Sequence, residues 1–505
     1  MSENVMKQNS SNDVVYRRAK LWQIILIAFN AFNGMAVYFL IGLASYSASI
    51  GYGIATLIVG GLLTFTRIFD AITDPILAFL YDRVMTPFGK VRPLMLGGWL
   101  IQCLGLLCMF NFFSSKGHGI PTFLAFYMLY VIGYTIINMT AQTLPALITN
   151  DPKQRPAVGV WQTVLNYITP MVLNIVVYTK LMPAYGGNFN QEFLNVVTWV
   201  CVALSFVGVV LVCIGVSEYD KPENFEGIGK KEHLKLKDMV DVLKNNKPLQ
   251  SYIIAASSDK IAQQASSASI VGTMLNGILI GNMGLATTLS VIGMLPSILF
   301  AILGARYAGK HGNKEAIVTW TRNALLANIV MIAFFIIVNL TTGTQSISKM
   351  GITMILFVIL TFVVNGFAMC VTTANTGFMA DIIDYELDRS GKYIPAVVTG
   401  TYSLIDKIVS SFSAAIATGC VALIGYTTTM PQPEDPATSG VFIMTMFLRY
   451  GLTILGFICT LLAMRKCKLG KKEMEDVQRD IKEKKEAAQH EFIEKELHKG
   501  DPKNA

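Results

Sequence analysis

Thr66-Arg67-Ile68-Phe69-Asp70-Ala71-Ile72-Thr73-Asp74-Pro75 places one Arg and two Asp inside a run with the apolar length of a membrane-spanning helix. With 3.6 residues per turn, positions 67, 70 and 74 follow i, i+3, i+7 and share one face. A charge in the hydrocarbon core costs at least ~2.5–3.5 kcal/mol on insertion scales. Two carboxylates one turn apart can coordinate Na⁺ or Li⁺ through hard oxygens, or share a proton, because ionising both is unfavourable. Thr73 adds a hydroxyl beside them, Arg67 can neutralise one carboxylate, and Pro75 bends the helix and frees a carbonyl nearby. The alternative is an ion-pair staple between helices, which accounts for a single Asp–Arg pair better than for Asp-x-x-x-Asp-Pro at mid-helix.

The surroundings of this stretch are those of a membrane protein. Of 505 residues, 53% are hydrophobic and 15% charged, against about 25% charged in soluble domains. The charge lies between apolar runs of 20 residues or more, the length needed to cross a ~30 Å core. The expected fold class is an all-α polytopic membrane protein. The net charge of +8 reflects basic loops, so nucleic acid is not an expected partner and the lipid bilayer is. The eight cysteines sit in or beside apolar runs with no CxxC or Cys/His cluster; they read as packing residues. No signal peptide precedes the first apolar run, and no phosphate-binding loop or His-metal pattern is present, so no cofactor is expected.

Twelve spans are expected, near 21–49, 54–81, 94–113, 121–149, 157–182, 193–217, 251–280, 285–307, 316–341, 351–381, 393–424 and 438–464. Lys and Arg concentrate in alternate loops: Arg83, Lys90 and Arg92; Lys153 and Arg155; the stretch 230–247; Arg306, Lys310 and Lys314; Arg389 and Lys392. That bias places both termini in the cytoplasm of a cell-membrane protein. The expected organisation is a cytoplasmic N-terminus (1–20), a six-helix half (21–217), a linker (218–250), a second six-helix half (251–464) and a charged tail (465–505). The linker contains a short amphipathic piece around Leu234–Leu243, and the Lys- and Glu-rich tail reads as a solvated helix.

The halves share a signature. Arg83 and Gly89 follow span 2, and Arg306 and Gly312 follow span 8, each pair six residues apart in a tight basic turn. This implies an internal repeat, and two six-helix halves around a midplane cavity are the architecture of many secondary transporters.

Arg67-x-x-Asp70-x-x-x-Asp74-Pro75, Asp82-Arg83 and Gly89-Lys90-x-Arg92-Pro93 resemble the glycoside–pentoside–hexuronide:cation symporters of the major facilitator superfamily. Tyr134-Thr135-x-x-Asn138, Ala380-Asp381-Ile382-Ile383-Asp384-Tyr385, Lys407 and Gly425-Tyr426 extend the resemblance into both halves. It implies the major facilitator fold and a cation site from Asp70, Thr73, Asp74 and Thr135, for Na⁺ or H⁺. It also implies a sugar site on span 4, at Asn138 with Gln142, approached by Lys407 and Tyr402 from span 11. A lone intramembrane Lys needs a partner, and the span-2 carboxylates are the natural candidates; Asp406 points about 100° away from Lys407 on a helix.

Three features depart from that pattern. Galactoside-transporting members carry an Asp on span 1 and an Arg on span 5. Here span 1 reads Asn30-Ala-Phe-Asn33-Gly34-Met35, and span 5 offers Trp161, Gln162 and Asn166. Asn33, Trp161 and Gln162 are therefore the expected substitutes: an indole stacks on a sugar face and amides bond hydroxyls. Thr73 stands where Na⁺-using members often have Asn, which leaves the cation open.

Asp259-Lys260 opens inside span 7, either as cavity-lining charges or as a structural pair. Asp381 and Asp384 read as an inner-face network with Arg389 or Lys392, and with Arg67, Asp82 and Arg83 form the expected charge-balancing and gating set. The expected function is cation-coupled symport of a sugar or glycoside by alternating access, in a chain functional as a monomer. The alternatives are carriage of a lysolipid or organic anion, or a non-transporting solute sensor. No nucleophile–base or metal set near the membrane surface suggests an enzyme.

Overall fold

The computed structural model describes residues 19–83, 86–114, 117–148, 155–221, 236–285, 289, 294–391 and 394–483. Within these helices the side chains of 74–76, 78–83, 142, 145, 146, 155–160, 163, 236–238, 294, 295, 298, 395 and 396 are outside the description.

The described chain is helical, with one isolated bridge between Thr86 and Gly89. In order, α1 is Leu21–Gly51, α2 Thr56–Arg83, α3 Val91–Phe112, α4 Gly119–Ile148, α5 Arg155–Asn174 and α6 Gln191–Val216. Then follow α7 Leu236–Asn245, α8 Lys247–Ser266, α9 Ser269–Leu279 and α10 Met294–His311. The rest are α11 Asn313–Thr341, α12 Ile352–Ser390, α13 Pro395–Leu423, α14 Ser439–Lys466 and α15, residues 471–483.

Polar residues start several of these helices by accepting otherwise unpaired backbone N–H groups. Asn190 accepts from Phe193 at 2.8 Å, Asn246 from Leu249 at 2.9 Å and Thr438 from Val441 at 3.3 Å. Large apolar side chains such as Leu100, Leu104, Leu299 and Leu340 stay more than half exposed, as acyl chains rather than water would require.

Among the described residues, ten helices are long and apolar enough to span a membrane. The expected spans 251–280 and 285–307 are not among them. The first breaks after Ser266, where a half rich in Ser, Gln and charge gives way to the short apolar α9. The second is described only from Met294, apart from Leu285 and Leu289.

The chain groups into two compact units. One contains the residues up to Ala55 and Phe69–Lys230; the other contains Thr56–Ile68 and the residues from Lys231. In the first, α3 and α4 pack closely because glycines face the opposing helix. A Cβ at Gly133 would collide with the backbone of Gln102, and one at Gly105 with that of Tyr130. Of the paired glycines in span 2 and span 3, Gly60 and Gly98 are approached closely, whereas Gly61 and Gly97 face open space.

Gly89 has φ +98°, and a side chain there would strike Asp220. The Asp220 carboxylate, fully buried, accepts N–H bonds from Lys90 (2.8 Å), Val91 (3.0 Å) and Arg92 (2.8 Å), and from Arg92 Nε at 3.3 Å.

In the second unit, Thr64 Oγ1 donates to the Ser411 carbonyl at 3.0 Å, and Gly60 admits Thr418, so the first turns of α2 pack along α13. The amphipathic piece read in the linker is α7, with Val242 buried. The tail is not wholly solvated as expected. In α15, Val477 and Ile481 are buried beside Cys467 and Leu469, because apolar residues at 474, 477 and 481 make one narrow face among the charges.

Candidate functional site

Asp70 lies in the interior of α2 and is 8% exposed. Thr135, on α4 and also buried, donates its hydroxyl to Asp70 Oδ1 at 3.1 Å. Sixty-five residues separate the two; each helix is held in place by its own apolar packing, and the hydroxyl meets the carboxylate where they face. Thr73 Oγ1 donates to the backbone carbonyl of Asp70 at 3.2 Å, turning back onto its own helix. The hydroxyl oxygens of Thr73 and Thr135 keep lone pairs, so Asp70 and Thr135 supply hard oxygens of the kind Na⁺ takes, or a carboxylate that takes a proton. The side chain of Asp74 lies outside the described residues, as do those of Asp82, Arg83 and Gln142. Arg67, three residues before Asp70, is exposed.

The expected sugar residues of the first unit have the following surroundings. Asn33 is 2% exposed, and its Oδ1 accepts from Gln102 Nε2 at 2.9 Å and from Ser205 Oγ at 2.6 Å. Trp99 Nε1 donates to the same Ser205 at 2.9 Å. Asn33 is thus the node of a buried network joining α1, α3 and α6. Trp161 is half-buried against the apolar cluster containing Ile137 and Leu144. Asn138 is exposed one turn beyond Thr135, and Gln162 is half-buried.

The second unit holds a cavity of about 700 Å³ lined from α8, α11, α12, α13 and α14. Tyr402 lines it, its ring 5.2 Å from that of Tyr252. Asp259 and Lys260 line it too, so these charges do more than join helices. Asn365, Asn375 and Arg449 complete its polar wall. Asp406 interacts electrostatically with Lys260; Lys407 is half-buried on the same helix, outside the lining.

Among the described residues, Asp381 and Asp384 meet amides rather than Arg389. Asn313 Nδ2 donates to Asp381 at 2.8 Å and Gln478 Nε2 to Asp384 at 2.7 Å. Arg389 instead grips Glu386 through two bonds, of 2.7 and 3.0 Å, and reaches Asp241 at 3.8 Å. Glu386 also accepts from Asn246 at 3.0 Å. The reason is geometric: Arg389 lies one turn from Glu386 on α12, where a short bidentate pair forms without leaving the helix. Lys392 lies outside the described residues. Asp220 and Arg449 carry no local sequence signal of these roles: the partners of Asp220 lie on another element, and Arg449 sits in a helix irregularity.

A profile described as MFS/sugar transport protein matches residues 23–471. The chain belongs to this family. The transporter is 25% identical over 399 residues to the putative glycoside/cation symporter YagG of Escherichia coli, covering 77% of this chain and 80% of that one. It is 24% identical over 440 residues to the glucuronide carrier protein homolog of Escherichia coli (86% and 89% covered). It is 21% identical over 483 residues to the lactose permease of Lactobacillus helveticus (91% and 70% covered).

Among solved structures it resembles a bacterial homologue of the human drug peptide transporters PepT1 and PepT2, with TM-score 0.60, 12% identity and 90% and 100% coverage. It also resembles the nucleoside transporter NupG, with TM-score 0.55, 12% identity and 88% and 98% coverage. These neighbours give the fold: an all-α polytopic membrane protein of the major facilitator type. The transporter is an integral membrane protein and a secondary carrier of a small solute.

Proposed function

We propose that the transporter couples the movement of a sugar or glycoside to that of a cation, Na⁺ or H⁺, by alternating access. In this reading it works as a monomer in the cell membrane, with both termini in the cytoplasm and two six-helix halves at 21–217 and 251–464. The observation that carries it is the buried Asp70 carboxylate, met by the Thr135 hydroxyl inside membrane helices. A carboxylate is costly inside membrane helices, and ionisable groups kept there mark ion and substrate pathways. Asp70, Asp74, Thr73 and Thr135 would hold the cation, which supplies positive charge to the site. Neutralising Asp70 lowers the cost of rearranging α2 against α4, and so ties the state that binds solute to the state that binds cation. The linkage is reciprocal, so solute tightens cation binding by the same factor.

The names of the relatives, a glycoside/cation symporter and a lactose permease among them, support a sugar as the solute. The test is gradient-driven uptake in proteoliposomes. Asp70→Cys and Asp74→Cys are each expected to abolish accumulation while leaving the protein folded. Full accumulation in both variants refutes the assignment.

A further inference from the structure

We infer that the cavity of the second unit holds an oxyanion substituent of the transported solute, a carboxylate or a sulfate ester, between Arg449 and Lys260. This rests on the proposal that the chain carries a sugar-like solute, and adds a charged subsite that lies wholly within one unit.

Three observations carry it. The first is charge. The lining contains two cations, Lys260 and Arg449, and one carboxylate, Asp259. Among the described residues neither cation forms an ion pair within 4.0 Å. Lys260 faces Asp406 only at longer range, and Asp259 Oδ1 is buried beside Gly456 without a hydrogen-bond donor. A cation held in a cavity without a carboxylate in direct contact is costly, and an anion entering the cavity would offset that cost.

The second is geometry. Arg449 sits in a π-helical turn, Phe447–Gly451, an irregularity that often marks functional positions. Its Nη1 donates to the Ser266 carbonyl at 3.0 Å, at the end of α8, and its guanidinium carbon lies 6.0 Å from the centre of the Tyr450 ring. Most of the five guanidinium donors therefore remain for a planar or tetrahedral oxyanion. Lys260 lies six residues before Ser266 on α8, about 9 Å along the axis. Two cations at that separation bracket an oxyanion, or reach an oxyanion and an adjacent hydroxyl.

The third is the rest of the wall. Asn365, Asn375 and Gln263 offer amides for ring hydroxyls, and Tyr252 and Tyr402 offer faces for the apolar side of a sugar ring. The competing account gives Arg449 the single task of ending α8, where a cation complements the helix C-terminus, and leaves Lys260 to Asp406.

The purified full-length transporter is reconstituted, and counterflow is measured for methyl glucoside, methyl glucuronide and methyl glucoside sulfated at its primary hydroxyl. One of the two anionic solutes is expected to half-saturate at a concentration about tenfold below the neutral one, the scale of one charge-assisted hydrogen-bonded pair. Which anion does so separates a carboxylate site from a sulfate site. Lys260→Gln and Arg449→Gln are each expected to bring that ratio to within about twofold of unity, and Arg449→Lys to retain part of it.

Equal handling of all three solutes by the wild type overturns the inference and leaves sugar carriage standing. So does a ratio unchanged in both Gln variants. If no solute is transported, sugar carriage falls, and ligand-induced thermal shift with the same three compounds decides the subsite. A shift with an anion that Lys260→Gln removes upholds it, and no such shift overturns it. Should Arg449→Gln fail to fold, Lys260→Gln and Arg449→Lys still separate the two accounts by the same ratio.

Discussion

Asp220 receives the N–H groups of Lys90, Val91 and Arg92, donors that the first turn of α3 leaves without partners inside the helix. A negative charge at this end also complements the helix dipole. The carboxylate is fully buried, so water does not replace a bond that is lost. Asp220→Asn turns one acceptor oxygen into a donor facing other donors. The expected cost is about 3 kcal/mol, from unpaired buried groups and an uncompensated Arg92, read from unfolding in detergent. Unchanged stability would mean that the carboxylate does not hold α3. The same logic separates Asn33 from Asp70. Both are buried polar side chains on membrane helices, yet Asn33 spends its oxygen on Gln102 and Ser205, whereas Asp70 meets a hydroxyl that still has lone pairs to give.

At the level of elements, α3 and α4 approach each other through Gly98, Gly105 and Gly133, whose missing side chains admit opposing backbone or side-chain atoms. Gly133→Ala is expected to cost about 1–3 kcal/mol by overpacking; because Thr135 is two residues away, it should also weaken cation-dependent uptake. A variant as stable and as active as the wild type would show that α4 shifts freely. The second case is α15. Val477 and Ile481 hold it over Cys467, which is 3% exposed. Burial pushes the Cys467 thiol up from its ordinary value, so it stays protonated at neutral pH and should react slowly with a maleimide. In a chain keeping only this cysteine, Val477→Asp should undock α15 and raise the labelling rate about tenfold or more. An unchanged rate would place the cover over Cys467 elsewhere.

Across the whole molecule, the apolar lengths and the Lys/Arg bias are local properties, and the helical membrane architecture was legible from them. Asp70 and Thr135 could be named as partners because a charge in hydrocarbon is conspicuous and a family pattern marked both. Other features depend on tertiary contact and left no local trace. Lys90 and Asp220 are 130 residues apart. The end of α8 at Ser266 reads as an ordinary polar stretch, and Arg449 looks like any single charge in an apolar run until the π-turn and cavity are seen. Asp381 and Asp384 were recognisable, but their amide partners, Asn313 and Gln478, come from two other helices.

The two basic loops gained detail of the same kind. Gly89 and Gly312 both have positive φ, +98° and +92°, and each is closed upon by a segment of its own unit just past an apolar helix, at Asp220 and Lys471. Lys471 Nζ also donates to the Lys310 carbonyl at 3.1 Å. For anyone attaching a fluorescent protein or an affinity handle, the final apolar helix is therefore the wrong place to cut. A junction at residue 467 would discard the clasp that the second unit uses on its own loop, whereas one placed after residue 483 would leave it closed.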